Sequence, residues 1–315
     1  MRRGTARTDR CRHPRRRRPH AGVPVTADRS TASTARSHSV AASGPLAATV
    51  AEALMLTATG PDTFVAARAG ADDPRGLYGG RLTAQALRAA SHTVPDERLA
   101  HSLHSYFLAP GDATKPITYT VGRERDGGRF SIRRVVASQE DVPILNLEAS
   151  FQQIQPGADY QAEAMPDTTP PEALPSVCQD PRMLDLDGRI PHDDEAYHRW
   201  PTRLWVRIKT SLRDDANLRA CGLVFVSDMC TGLSKAPLVK QVGILPSIDH
   251  SVWLHRGCDP NRWLLLDLAP ESTSHGRGMY TGHIYDEDQV LVANLAQESL
   301  FRLRNSHGRP GPSRT

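Results

Sequence analysis

The alternation of apolar and polar positions divides the chain into two strand-rich regions, each attached to a helix-forming run. The most informative run is Leu77-Tyr78-Gly79-Gly80 followed by Arg81 to Ser91, closed by Pro95. Leu82, Ala84, Ala86, Leu87, Ala89 and Ala90 leave only a thin polar stripe at Arg81, Gln85 and Arg88. A helix that is apolar nearly all round is a buried one, and its small side chains admit a concave sheet face at close range. Strands are expected at 101–108, 117–125, 129–138 and 142–152, with Asp126-Gly127-Gly128 and Glu140-Asp141 as turns between them. The pattern therefore predicts a strongly bent antiparallel sheet wrapped around a buried helix. A shorter helix is predicted from Pro45 to Leu56, ahead of this unit.

From Pro156 to Pro201 the character changes, with eight prolines, many acidic residues and no sustained period. This reads as a linker, or as an extended arm packed over the domains. The strand pattern returns at Thr202, where Leu204, Val206 and Ile208 alternate with Trp205, Arg207 and Lys209. An apolar run, Leu223 to Val226, then precedes a polar break at Ser227-Asp228, a short helix-like stretch to about Leu238 and further strands.

The two regions are alike. His104-Ser105-Tyr106-Phe107-Leu108 resembles His250-Ser251-Val252-Trp253-Leu254, and Asn146-Leu147 resembles Asn294-Leu295. In this register Gly80 falls opposite Asp228 and Ala149 opposite Gln297. One α+β unit of about 110 residues, an ordinary domain size, thus occurs twice. The expected fold class is α+β: two tandem units, each a bent antiparallel sheet around a buried helix. The expected boundaries are 45–153 and 202–305, with 154–201 between them and a frayed tail at 306–315. The differences between the copies point to one working site in the second half. There Asp228, at a helix start, and Gln297, on a late strand, face a common groove.

Length and charge refine this picture. The 315 residues suffice for two domains, each with its own core. Of 39 basic and 35 acidic residues, the first 44 positions hold eleven Arg, Asp9 and Asp28, which leaves the remainder mildly acidic. That segment lacks large apolar side chains and is expected to be a disordered basic tail; nucleic-acid binding would belong to it alone and is not expected of the domains. Five cysteines without a CxxC pair argue for a reduced compartment, against a disulfide framework and against zinc. No apolar run reaches membrane-spanning length, and neither a secretory signal nor a peroxisomal tripeptide is recognisable. A cytoplasmic protein without membrane contact is expected. His192-Asp193-Asp194-Glu195 with His198 reads as a solvated charge run rather than a metal site. His101 and His104, three apart on a strand, are expected on opposite faces. Cys230 is expected to be a buried small side chain, and neither metal nor cofactor is called for.

Tyr78-Gly79-Gly80, Ala84-Gln85-Ala86-Leu87, His101 to Leu108 with Pro110-Gly111-Asp112, and Phe130 to Val135 resemble the type II acyl-CoA thioesterases. So do Ser227-Asp228, Ile248-Asp249-His250-Ser251 with Trp253, Glu271 to Ser274, and Val292-Ala293 with Gln297-Glu298. The resemblance covers about residues 46 to 305, and Met229-Cys230-Thr231-Gly232 departs from the more aliphatic residues usual there. It implies a double hotdog fold, hydrolysis of acyl-CoA to free fatty acid and CoA, and a homo-oligomer. The family's catalytic Asp, Thr or Ser, and Gln fall on Asp228, Ser247 and Gln297, with His101 as an accessory residue. Asp228 would be the general base, Ser247 and Gln297 would hold the water, and helix-start N–H groups would stabilise an oxyanion. Gly79 and Gly80 are the expected substrate-facing glycines. Two rival readings are a non-catalytic acyl-CoA or acyl-chain binding protein, and a hydratase or dehydratase on the same scaffold.

Overall fold

The computed structural model describes residues 46–70, 76–177, 181–191, 201–243 and 245–303. The basic tail 1–44, the tail 306–315 and the His192–His198 cluster lie outside the described residues. The elements are α1 Val50–Ala53, β1 Thr57–Gly60, β2 Thr63–Ala66, α2 Gly79–Ser91, β3 Arg98–Phe107, β4 Ile117–Asp126, β5 Phe130–Gln139 and β6 Val142–Gln153. After them come β7 Leu186–Arg189, β8 Arg203–Ile208, α3 Ala216–Ser227, β9 Asp249–Leu254, β10 Leu264–Ser274, β11 Arg277–Asp286 and β12 Leu291–Leu300.

The strands form one antiparallel sheet in the order β1-β2-β4-β5-β6-β3-β9-β12-β11-β10-β8-β7. Read outward from the central β3–β9 pair, the order is the same on both sides. This is the hotdog arrangement present twice, with the halves joined edge to edge. The halves do not keep separate cores: α2 and α3 lie against each other under the sheet, and one apolar cluster draws on both. They run antiparallel, since Tyr78 at the start of α2 meets Phe225 at the end of α3, while Arg88 near the end of α2 pairs with Asp215 before α3.

Burial of α2 includes its polar stripe, and each member has a partner. Arg81 donates to the Ala69 carbonyl, Gln85 donates to Ala53 O and accepts from the Tyr119 hydroxyl, and Arg88 pairs with Asp215. The thin polar stripe of this otherwise apolar helix is hydrogen-bonded inside the protein, as buried polar groups are, apart from Arg81 Nε.

Four expectations need correction. The first helix is a single capped turn, Val50–Ala53, because the β-branched Thr57 and Thr59 draw the chain into the β1–β2 hairpin. Leu223 to Val226 lie in α3, which starts at an Asp215 cap accepting from Leu218 N; burial on every side overrides the strand propensity of Val and Phe. Asp228 therefore ends a helix, and residues 232–235 form only a 3-10 turn. The repeat register is also one residue out on β9. Leu147 pairs with Ser105 while Leu295 pairs with Val252, so His250 occupies the place of Leu103 and not of His104. Counted from the C-caps, Asp228 corresponds to His92; counted from the N-caps Tyr78 and Asp215, Gly80 corresponds to Asn217, α2 being one residue longer than α3. Finally, a bulge between Ala100 and Ser102 breaks the alternation in β3, so His101 joins His104 on the outer face. There His101 contacts Ser150 and Phe130, and His104 contacts Ser251 and Trp253.

The Pro-rich segment runs as an arm over the second half. Leu174 and Met165 pack with Trp205, Trp263, Leu265, Tyr285 and Leu291 in a second apolar cluster on the outer face. Thr169 O accepts from the Trp205 indole, and Gln161 accepts from Leu291 N. The same segment supplies the edge strand β7, so the second half begins before residue 202.

Candidate active site

The site forms where the last turn of α3 meets the first turn of α2, because the open carbonyls of one helix end face the open N–H groups of the other. Ser227 Oγ donates to Val224 O, and the Tyr78 hydroxyl donates to Phe225 O at 2.6 Å. Gly80 permits this approach: a Cβ there would collide with Phe225 O and the Tyr78 hydroxyl. A Cβ on Gly79 would stand 2.5 Å from Asp228 Oδ2 and 3.0 Å from the Phe107 ring. Asp228, the C-cap of α3, thus sits at the N-terminus of α2 and accepts a hydrogen bond from Gly80 N. The helix start beside the carboxylate belongs to the first half of the chain, not to the second as the sequence implied.

Gln297 comes from β12 and Ser247 from the residues just before β9, where Ser247 makes an isolated bridge to Ser299. The Gln297 amide donates to Asp228 Oδ1 at 3.1 Å and to Ser247 Oγ at 2.7 Å. Behind it, His250 Nδ1 contacts Gln297 Oε1, and His250 Nε2 lies 2.8 Å from Ser227 Oγ. Solvent reaches Asp228 and Ser247, whereas Gln297 is 4% and His250 0% exposed. The two groups suited to meet a reactant form the outer layer, and the groups that orient them lie behind.

Burial raises the Asp228 carboxyl above the ordinary carboxylate range, against the His250 ring, the Gln297 amide, Gly80 N–H and the charge of Arg182. Arg182 stands on a 3-10 turn of the arm, Pro181–Met183. Burial likewise depresses His250 and favours its neutral ring, despite the nearby Asp228 and Gln297. A raised carboxylate that water can reach is suited to take a proton.

Asp228, Ser247, Gln297, Gly79 and Gly80 are brought together; His101 is not. It lines a cavity of about 100 Å³ at the start of α3 with Ala100, Asn217, Leu223 and Cys258, roughly 16 Å along the helix from Asp228 at 1.5 Å per residue. That corner is the pseudo-symmetric counterpart of the site, and its lining holds no carboxylate. Ala149 stands there in the place of Gln297, and Asn217 is stitched to Ala100 N and Arg98 O. Sequence reading gave no site role to His250, Ser227, Tyr78 or Arg182, although the first three stand in the motifs that carry the resemblance. For His250 the signal was present, since alternation along β9 turns it inward with Val252. For Arg182 there was none. Among the described residues no group of three His, Cys, Asp or Glu could hold a metal ion, and no helix is long and apolar enough to cross a membrane.

Residues 68–152 match the acyl-CoA thioesterase N-terminal domain, and residues 158–301 match the C-terminal domain of the same family. The chain belongs to the type II acyl-CoA thioesterases. It is 34% identical over 253 residues to acyl-CoA thioesterase 2 of Haemophilus influenzae, covering 72% of this chain and 88% of that one. Human acyl-coenzyme A thioesterase 8 is 30% identical over 261 residues, with 72% and 81% covered. Among solved structures, acyl-CoA thioesterase II TesB2 from Mycobacterium marinum superposes with a TM-score of 0.69 at 31% identity, covering 82% of this chain and 99% of that one. A hot dog protein of unknown function from Alicyclobacillus acidocaldarius superposes at 0.68 with 20% identity and bears on the fold alone.

Proposed function

We propose that this thioesterase hydrolyses acyl-CoA to free fatty acid and CoA with water activated by Asp228 and positioned by Ser247 and Gln297. Asp228 takes a proton as the water oxygen bonds to the thioester carbonyl carbon. The resulting oxyanion develops beside the positive end of α2. Collapse breaks the C–S bond, and the proton held on Asp228 passes to the departing CoA thiolate, which restores the base. Ser247 Oγ accepts from Gln297, which leaves its own proton available to the water or to the carbonyl oxygen.

The observation that carries this reading is the Gln297 amide, which spends one hydrogen on Asp228 and the other on Ser247. A single group thereby fixes the base and the hydroxyl relative to each other. Gly79 and Gly80 then act mainly by letting α2 approach; Gly80 N–H is held by the carboxylate. Exposed Tyr106 and Trp253 on the outer face at the central seam support a homo-oligomer formed through the sheet. Among the described residues the thiols of Cys221 and Cys258 form no disulfide, in keeping with a reducing cytoplasm.

The test is thiol release from a panel of acyl-CoAs of varied chain length, with wild type and Asp228→Asn in parallel. Turnover by wild type on at least one member, lost in Asp228→Asn, is expected. Tight acyl-CoA binding without thiol release from any member would favour the non-catalytic binding reading.

A further inference from the structure

Gln297 can serve this site in only one of its two amide orientations. Rotated by half a turn, it would aim Oε1 at the Asp228 carboxylate, acceptor against acceptor, and withdraw the donor from Ser247. The two ends of an amide have nearly the same shape, so packing does not choose between them; hydrogen-bond partners do. With Nε2 committed to Asp228 and Ser247, Oε1 is left facing His250 Nδ1. Oε1 only accepts, so Nδ1 must carry the proton. In the neutral ring Nε2 is then the acceptor, and the Ser227 hydroxyl at 2.8 Å is its partner, shared with Val224 O at 2.9 Å.

We infer that His250 is a positioning residue for thioester hydrolysis: as the Nδ1–H tautomer, seated on Ser227, it locks the Gln297 amide with its donor end toward Asp228 and Ser247. The inference rests on the assignment of the reaction to Asp228. His250 is fully buried behind Gln297, so its contact with the solvent-facing layer of the site runs through that amide. The lock extends along the chain. Ser227 and Asp228 are consecutive, so the residue that seats the imidazole is covalently joined to the base that the imidazole helps to align. The tautomer, the amide orientation and the place of the carboxylate are thus set together.

Four measurements test this. In His250→Phe, which keeps a planar aromatic ring and removes the donor, kcat should fall on the order of 10- to 100-fold, the cost of a slightly misplaced catalytic group, with KM nearly unchanged. His250→Asn, which can still donate to Oε1, should recover most of the loss. In a Gln297→Ala background His250→Phe should cost nothing further, because the group it positions is gone. The fourth measurement needs no variant at position 250. Imidazole ¹⁵N NMR of the wild type should show a ring protonated on Nδ1 and not on Nε2, assigned by its shift in Gln297→Ala. An Nε2–H tautomer, unchanged kcat in folded His250→Phe, or an equal loss with and without Gln297 would overturn the inference. Asp228→Asn measured alongside separates the failures. If it stays active, the site assignment fails; if it is inactive while His250→Phe turns over normally, only the role of His250 fails.

Discussion

At the residue scale, Asp228 combines a raised pKa with a position that solvent reaches, and activity and stability should respond to it in opposite directions. Asp228→Asn keeps the shape and loses the base, so turnover should drop about 10²- to 10⁴-fold. A carboxyl whose folded pKa lies above its unfolded value destabilises the fold as pH rises between the two. The Asn variant should therefore melt no lower than wild type at pH 7, and any advantage should shrink as pH falls from the raised pKa toward the ordinary carboxylate value and be absent below it. Thermal melts across pH check the sign. For the same reason kcat/KM of the wild type should rise with pH through a pKa above the usual carboxylate value. Ser247→Ala and Gln297→Ala should each cost less than Asp228→Asn, and together less than the product of their separate effects, since one amide joins them. Steady-state kinetics of the two single variants and the double variant decide this.

At the element scale, the joint between the α2 start and the α3 end determines where the Asp228 carboxylate stands. The two glycines there should be separable by mutation. Gly80→Ala drives a Cβ into a backbone carbonyl of α3, which cannot move aside without moving the helix, so about 1–3 kcal/mol of stability should be lost along with turnover. Gly79→Ala instead meets the Asp228 side chain and the Phe107 ring, which can shift. Its cost should fall on kcat more than on melting temperature. Equal losses of stability in the two variants would contradict this division. The same joint shows what makes α3 a helix. Leu223-Val224-Phe225-Val226 has the composition of a buried strand, and a short apolar run does not announce its period. Only the burial of every face, against α2 on one side and the sheet on others, makes it a helix.

At the scale of the whole molecule, two features distinguish the halves. The outer face of the second half carries Trp205, Leu265 and Tyr285 under an arm anchored by Leu174. Leu174→Ala should lower stability by about 2 kcal/mol and shift tryptophan emission to the red, measured by denaturant titration followed by fluorescence. The halves also differ in chemistry. The counterpart corner has Ala149 for Gln297, His92 for Asp228, and Asn217 bonded across the place that Gly80 leaves open. Titration with a non-hydrolysable acyl-CoA should therefore find one tight site per chain; two equivalent tight sites would show that the second corner still binds.

The sequence by itself determined the repeat and the buried helix α2 and, through its resemblance to the family, the hotdog class; it also put forward Asp228, Ser247 and Gln297 as the candidate set. Each of these is written in local pattern: period-2 strands, Gly-Gly before an apolar helix, and short motifs in a fixed order. It did not determine that the two halves share one core, that Asp228 ends α3 instead of opening a helix, or that its helix-start partner lies in the other half. Nor did it reveal the one-residue offset that makes His250 the counterpart of Leu103, or the bulge at 100–102 that turns His101 away from the site. Those features depend on which strand edges meet and which helix ends abut. Such contacts join residues about 150 positions apart, and no local pattern along the chain encodes their geometry.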